Sequence, residues 1–107
     1  MLLGKTVRKA VIRTLSAEEA VIFFAMAENA DKSARGTIDI LQLINDTRIG
    51  IIKLRKNLRS LMSKKAIKIT FKDSEEKGKE KTKKDYEICI DQDFWKDRDR
   101  AIEQIRP

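Results

Sequence analysis

The sequence predicts a mainly helical α+β fold, and three observations support this prediction. The chain has 107 residues, which is the length of one domain that can bury its own core. Apolar residues recur at helical spacing through most of the chain. Two segments, 66–72 and 86–91, instead alternate apolar and polar side chains, as half-buried strands do. We therefore expect a single domain over residues 1–107.

The N-terminal third predicts one clear helix and one segment that fits either a helix or a strand. The spacing of the apolar residues in 5–15 fits a helix, while the density of β-branched residues also fits a strand. The segment LSAEEAVIFFAMAENA (15–30) begins with a capping box, in which Ser16 and Glu19 bond each other's backbone N–H. Apolar residues lie nearly all round this helix, which predicts a central, buried position.

Two further helices are predicted in the middle of the chain. A loop over 31–36 leads to TIDILQLIND (37–46), where Thr37 is the expected N-cap. After an interruption at 47–50, a third helix runs to about Ser63. Its apolar residues fall within an arc of roughly 80–100° and predict the inward face. These residues are Ile51, Leu54, Leu58, Leu61 and Met62.

The C-terminal third predicts a hairpin and a last helix. AIKITFK (66–72) and YEICID (86–91) read as antiparallel strands joined by a long polar tip. Their expected inward residues are Ile67, Ile69 and Phe71 in the first strand and Tyr86, Ile88 and Ile90 in the second. Asp91 or Asp93 is the expected cap of a helix over 94–106. The apolar side of that helix is formed by Phe94, Trp95, Ala101, Ile102 and Ile105.

The positive charge is concentrated in one stretch of the chain. The formal net charge is +7, but residues 47–72 carry nine Lys or Arg and no acid, while residues 17–46 carry a net −4. A patch of one sign predicts a partner of the opposite sign better than the net charge does. The sequence therefore predicts an anionic partner for the third helix and the strand that follows it.

The residue types of common catalytic and metal sites are missing from this sequence. There is no histidine, one cysteine (Cys89) and four isolated glycines, so we expect no zinc site, Walker loop or dinucleotide fingerprint. We expect no enzyme activity, no cofactor and no small-molecule ligand. The unpaired cysteine predicts a reducing cytoplasm, and the longest apolar run, 20–27, is too short for a membrane span.

Three helices followed by a hairpin, with a basic third helix, resemble a winged helix-turn-helix domain over roughly residues 16–91. Ile49 occupies the turn position five residues after Ile44, and Gly50 stands where Ser or Thr is usual. The passage Lys65-Ala66-Ile67 stands where many members have Lys-Gly-Leu or Lys-Gly-Ile. MarR-like regulators and the N-terminal domains of phage or plasmid replication initiators are similar at this level.

The resemblance implies a sequence-specific double-stranded DNA-binding protein, a small transcriptional regulator associated with the nucleoid. Its third helix would enter the major groove and its hairpin wing would touch the DNA backbone. Asn suits adenine, Lys suits guanine, and an isoleucine can meet a thymine methyl. The expected base contacts are Ile52, Lys53, Lys56 and Asn57. The expected phosphate contacts are Arg48, Arg55, Arg59, Ser60, Lys64 and Lys68, with Lys79, Lys81, Lys83 and Lys84 on the wing.

Several alternatives remain open at this point. The terminal segments 1–15 and 92–107 are expected to pair two copies into a homodimer, because Phe94 and Trp95 exceed the needs of a lone end helix; the alternative is that they cover the core. Within the same class, the chain is alternatively a replication or plasmid-maintenance initiator module. In a different class, the winged helix serves protein–protein interaction. The wing tip either lies near DNA or is solvated.

Overall fold

A computed structural model describes residues 1–70 and 83–105 of the chain. Within these residues the fold is mainly helical α+β, as the sequence predicts, with five helices and one antiparallel sheet of three strands. The helices are α1 (Lys5–Thr14), α2 (Ala17–Asn29), α3 (Ile40–Thr47), α4 (Ile51–Ser63) and α5 (Gln92–Ile105). The strands are β1 (Arg35–Asp39), β2 (Ile67–Thr70) and β3 (Lys83–Ile88).

The ambiguous N-terminal segment is a helix. Val7, Ala10 and Val11 are buried on one side of α1, which is the i, i+3, i+4 spacing of an amphipathic helix. The outward side carries cations and Ile12. Burial of that stripe against α5 outweighs the weak helix propensity of the β-branched residues.

The capping box at the start of α2 is confirmed, and the predicted central, buried position is confirmed for one side of the helix only. The Ser16 N–H donates to Glu19 Oε1 at 3.0 Å, and the Glu19 N–H donates to Ser16 Oγ at 3.2 Å. One side of the helix is packed into the core. The opposite side faces solvent, and Val21 there is 48% exposed. The wide apolar surface of α2 therefore exceeds what the neighbouring elements cover.

Residues 35–39 form strand β1, so the predicted loop over 31–36 is confirmed only for 31–34, and the predicted helix start at Thr37 is wrong. The Thr37 hydroxyl donates to the Asp85 carboxylate on β3 at 2.7 Å instead of capping a helix. Asp39 is the N-cap of α3, and its carboxylate accepts from the Leu41 N–H at 2.9 Å. The strand forms because β3 supplies a partner for its backbone, which local spacing does not reveal.

Strand β3 is the centre of the sheet, whose order is β1-β3-β2. The predicted hairpin is thus extended by a third strand. Tyr86 on β3 faces Gly36 on β1, and its hydroxyl donates to the Met26 carbonyl of α2 at 2.7 Å. A Cβ at Gly36 would lie 2.6 Å from the Tyr86 hydroxyl oxygen, so the glycine makes room for this ring. The sheet is therefore joined to α2 by a buried hydrogen bond.

The second predicted strand lies three residues earlier in the chain than expected, at Lys83–Ile88 instead of 86–91. Tyr86 and Ile88 are buried as predicted, but β3 ends at Ile88. Ile90, predicted to point inward, is exposed because the chain has already left the sheet. On β2, Ile67 is buried and Ile69 is half-buried, while Phe71 lies outside the described residues.

Helix α5 is part of the hydrophobic core. Trp95 is fully buried, its ring centroid lies 5.4 Å from that of Phe23, and its indole N–H donates to the Cys89 carbonyl at 2.8 Å. Asp91 is the cap, since its carboxylate accepts from the Asp93 N–H at 2.9 Å. Ala101, expected on the apolar side, is exposed. Trp95 therefore covers the core, as the alternative interpretation held.

Candidate nucleic-acid interface

The turn between α3 and α4 fixes how α4 leaves the core. It consists of the three residues 48–50, between Thr47 and Ile51. Arg48 adopts a left-handed conformation (φ 61°), and its N–H donates to the Ile44 carbonyl at 2.8 Å to close α3. Ile49 is buried, so the turn is attached to the core by an aliphatic side chain. The sequence-based assignment of Ile49 to the turn is confirmed.

The inward face of α4 is narrower than predicted. Leu54, Leu58 and Leu61 are buried, as expected. Ile51 and Met62 are exposed, and their assignment to the core face is wrong. At 100° per residue these two lie roughly 50–75° from the centre of the three leucines, at the margin of the stripe. Only the centre of the stripe contacts the core.

The opposite side of α4 forms an acid-free cationic surface, which we call the basic face. Its cations are exposed, and no carboxylate among the described residues forms an ion pair with them. Ile52 lies among them and is 82% exposed. The basic face consists of Arg48, Ile52, Lys53, Arg55, Lys56 and Arg59. The structure thus brings together six of the ten predicted contacts outside the wing.

Asn57 is half-buried and less available than the sequence suggests. Its side-chain amide nitrogen donates to the Lys53 carbonyl at 2.9 Å, within the same helix. An asparagine that reads adenine needs its N–H and its C=O together on the base edge. In this conformation one of those amide N–H groups is directed to the helix backbone.

Ser60 and Lys64, both predicted phosphate contacts, bind an internal carboxylate. The Ser60 hydroxyl donates to Glu19 Oε2 at 2.7 Å, and Lys64 Nζ lies 2.7 and 2.9 Å from the two Glu19 oxygens. Glu19 itself is only 3% exposed. Burial alone would raise the pKa of this carboxyl, but the hydrogen bonds from Lys64, Ser60 and Ser16 outweigh it and lower the pKa to about 2.

The C-terminal end of α4 is also held by α5. Lys65 is left-handed (φ 62°), and the Ala66 N–H donates to the Leu61 carbonyl at 3.0 Å, as in a Schellman motif. The Arg98 guanidinium donates to the Lys64 carbonyl and lies 4.8 Å from the Phe94 ring centroid. Two helices distant in sequence therefore position this end of α4.

Sequence reasoning missed the roles of Glu19 and Arg98. The capping box identified Glu19 as the partner of Ser16, three residues away. Its second partner, Lys64, is 45 residues away, and Arg98 is 34 residues from the carbonyl that it binds. Local spacing carries no signal for contacts of this kind.

The residues predicted on the wing are described only in part. Lys68 is exposed on β2 and stands opposite Glu87 of β3 in the strand register. Lys84 is half-buried opposite Ile38 of β1. Lys79, Lys81 and the side chain of Lys83 lie outside the described residues. Lys68 therefore has an acid, Glu87, beside it on the neighbouring strand. The cations of the basic face have no ion-paired acid among the described residues.

Among the described residues, no group of three or more His, Cys, Asp or Glu side chains is arranged to hold a metal ion. The thiol of Cys89 is half-buried, and desolvation by burial raises its pKa, which disfavours the nucleophilic thiolate. None of the helices in the described ranges combines the length and the apolar content needed to cross a membrane.

Comparison with known proteins gives no family for this chain. No protein-family model matches it, and no curated protein matches its sequence. The basic face combines three features: a three-residue turn before α4, a helix held at its C-terminal end, and an outward side that carries cations without acids.

Proposed function

We propose that the protein binds double-stranded DNA through α4, as a winged helix-turn-helix transcriptional regulator. The observation that supports this most directly is the basic face, whose five exposed cations are four on α4 and Arg48 in the turn before it, without an ion-paired acid in the described chain. Such a positive surface is complementary to the negative charge of the DNA backbone. Contacts with that backbone dominate the affinity of DNA-binding proteins.

The connection between α3 and α4 supports the helix-turn-helix part of the proposal. DNA-binding helix-turn-helix motifs join two helices by a turn of about three or four residues that often contains glycine, and the second helix enters the major groove. Here the turn has three residues, 48–50, and includes Gly50. The strand pair β2 and β3 follows α4 directly, which is where the sequence-based resemblance places the wing.

We assign each side chain of the basic face to a base contact or a phosphate contact from its position on the DNA-facing helix α4 or in the turn before it. The N-terminal half of a recognition helix contacts base edges, and flanking cations contact phosphates. We therefore assign base contacts to Ile52, Lys53 and Lys56, with Asn57 beside them. Phosphate contacts are assigned to Arg48, Arg55, Arg59 and Lys68. We assign Ser60 and Lys64 to holding α4 in place, because Glu19 binds both.

The first test is the salt dependence of duplex binding. A surface that neutralises five to eight phosphates gives a plot of log K against log salt with a slope of roughly −5 to −7. We expect this slope in a fluorescence anisotropy titration with a mixed-sequence duplex. The double variant Lys56→Glu/Arg59→Glu should lose binding while its circular dichroism spectrum stays that of the native protein, because both side chains are exposed.

A matched control separates the basic face from net charge. Lys5→Glu/Lys9→Glu makes the same charge change on the outward side of α1, and both doubles lower the formal charge by four, from +7 to +3. We expect the α1 variant to keep most of its affinity. Equal losses in the two doubles would show that binding follows net charge and would contradict the assignment to α4. Absence of any duplex binding at low salt would reject the proposal.

Two narrower proposals accompany this function. Selection from a random duplex pool would enrich one sequence for a specific regulator or initiator, and a palindrome for a homodimer. The proposed homodimer cannot use Trp95, which is buried, but apolar side chains remain exposed on α1 and α2, among them Ile12 and Val21. Sedimentation equilibrium of the free protein tests this pairing directly.

Protein–protein interaction is the second candidate function, favoured by the 62% exposure of Leu41 on α3.

A further inference from the structure

We propose that α4 recognises the C5-methyl group of pyrimidines in the major groove, as presented by thymine or 5-methylcytosine. The contact surface would be Ile52 with Ile51 beside it. This inference rests on the proposed function, because it specifies what the basic face reads once it is seated on duplex DNA.

The first two residues of α4 present an apolar surface to solvent. Ile52 is 82% exposed and Ile51 is 41% exposed, although sequence periodicity assigns Ile51 to the core. A single exposed aliphatic residue is ordinary on a protein surface. Here two adjacent ones occupy the first turn of the helix, where recognition helices meet base edges, and Lys53 follows them directly.

The polar side chains of the same half-helix are poorly suited to discriminate between bases. Lys53 and Lys56 carry compact ammonium groups on flexible stems, so their contacts with base edges have no fixed geometry. The Asn57 amide donates to the Lys53 carbonyl of its own helix at 2.9 Å. In contrast, isoleucine is stiff at χ1, so Ile51 and Ile52 present a fixed shape.

A methyl group is the base feature that matches an apolar, preformed surface. Thymine shows the major groove an O4 acceptor and a C5-methyl group. Uracil keeps the same acceptor and lacks the methyl, and 5-methylcytosine adds a methyl at the same ring position to cytosine. Burial of one methyl group changes an affinity about fourfold, so several methyls at one site have a measurable effect.

The experiment compares duplexes that differ in this methyl group alone. The full chain is titrated with a duplex of alternating dA and dT and with the same duplex in which dU replaces every dT. We expect the dT duplex to bind about fourfold tighter or more. A second pair, alternating dC and dG with and without C5-methylation of dC, should show a gain of the same kind.

Two variants assign the effect to its side chain. Ile52→Ala should bind the dT and dU duplexes alike, whereas Leu41→Ala, which removes an exposed aliphatic residue from α3, should keep the wild-type ratio. Fold damage is not expected from either change, because both side chains are exposed, and circular dichroism checks this.

The outcomes separate this inference from the proposed function. Equal binding of the wild type to the dT and dU duplexes overturns the inference and leaves DNA binding intact. A dT preference that persists in Ile52→Ala arises from DNA shape and also overturns it, as does a methylated dC duplex that binds no tighter. Binding to none of the duplexes overturns the proposed function itself.

Discussion

At the scale of single residues, the Glu19 carboxylate connects the start of α2 with the C-terminal end of α4. It closes the capping box of α2 with Ser16, and it accepts hydrogen bonds from Ser60 and Lys64 on α4. A buried carboxylate is costly unless it is paired and hydrogen-bonded, and each Glu19 oxygen has at least two donors. The orientation of α4 on α2 therefore depends on this side chain.

Replacement of Glu19 by glutamine should destabilise the fold. Glu19→Gln removes the charge that Lys64 and Ser60 bind, and we expect a loss of about 1–3 kcal/mol in the free energy of unfolding. Urea denaturation at neutral pH measures it. Glu18→Gln is the matched control, because Glu18 is an exposed acid in the same first turn of α2. Indistinguishable midpoints for the two variants would contradict the role given to Glu19.

The same carboxylate predicts a defined pH dependence of stability. The pKa of Glu19 is lowered from 4.5 to about 2 in the folded protein. As the pH falls, the unfolded chain therefore takes up this proton before the folded protein does. The contribution of Glu19 is complete above pH 4.5 and is lost as the pH falls towards about 2. The stability of Glu19→Gln should decline less steeply than that of the wild type over this window; parallel declines would exclude the linkage.

At the scale of elements, the N-terminus of α4 lacks a side-chain cap. Gly50 is the N-cap residue, in an extended conformation (φ −64°, ψ 158°), and a Cβ placed there meets nothing within 4 Å. Serine can adopt this conformation and offers its hydroxyl to the free N–H groups of the first turn. At this position Gly50 therefore lacks the capping hydrogen bond that a serine side chain would supply.

Gly50→Ser should therefore stabilise the protein, by roughly a few tenths of a kcal/mol, because glycine is itself an acceptable N-cap. Thermal unfolding followed by circular dichroism measures the shift in melting temperature. Gly50→Ala adds a Cβ without a hydroxyl and should give no gain, so the difference between the two variants isolates the capping hydrogen bond. A serine variant no more stable than the alanine variant would show that backbone solvation, and not the cap, decides stability here.

The elements differ in how far local sequence determines them. The capping box defined α2, and three leucines spaced four and three residues apart defined α4, because helical hydrogen bonds and apolar stripes are local. Strand β1 was missed because its backbone partner, β3, is about fifty residues away in the chain, on the evidence of the pair Gly36 and Tyr86. The basic face was predictable as an acid-free run, whereas the ion pair of Lys64 with Glu19 was not.

At the scale of the whole molecule, the terminal helices belong to the same core as the central elements. Buried residues of α1, α2, α4 and α5 form one hydrophobic cluster with the sheet, and α1 packs along α5. Arg13 of α1 pairs with Asp99 of α5 at 3.0 Å. Removal of either terminal helix, α1 or α5, would therefore expose core residues of the remaining elements to solvent.

Truncation of Trp95 should destabilise the entire fold. Its indole is fully buried against Phe23, and Trp95→Ala removes both this contact and the hydrogen bond to Cys89. We expect a loss of about 3–5 kcal/mol in chemical denaturation. Phe94→Ala is the control, because the neighbouring ring is only half-buried and should cost less. Comparable losses of stability from the two substitutions would show that the buried tryptophan contributes no more to the packing of α5 than the half-buried Phe94 does.

The unequal attachment of the two ends of α4 has a consequence for protein engineering. Its last turn is bound to α2 and α5 through Glu19 and Arg98, so changes there alter the scaffold. The side chains at Ile52, Lys53 and Lys56 are exposed and contribute no side-chain hydrogen bond or ion pair within the described chain. These three positions can therefore be randomised together in a library in which most members still fold, and a single scaffold would then supply binders with new preferences.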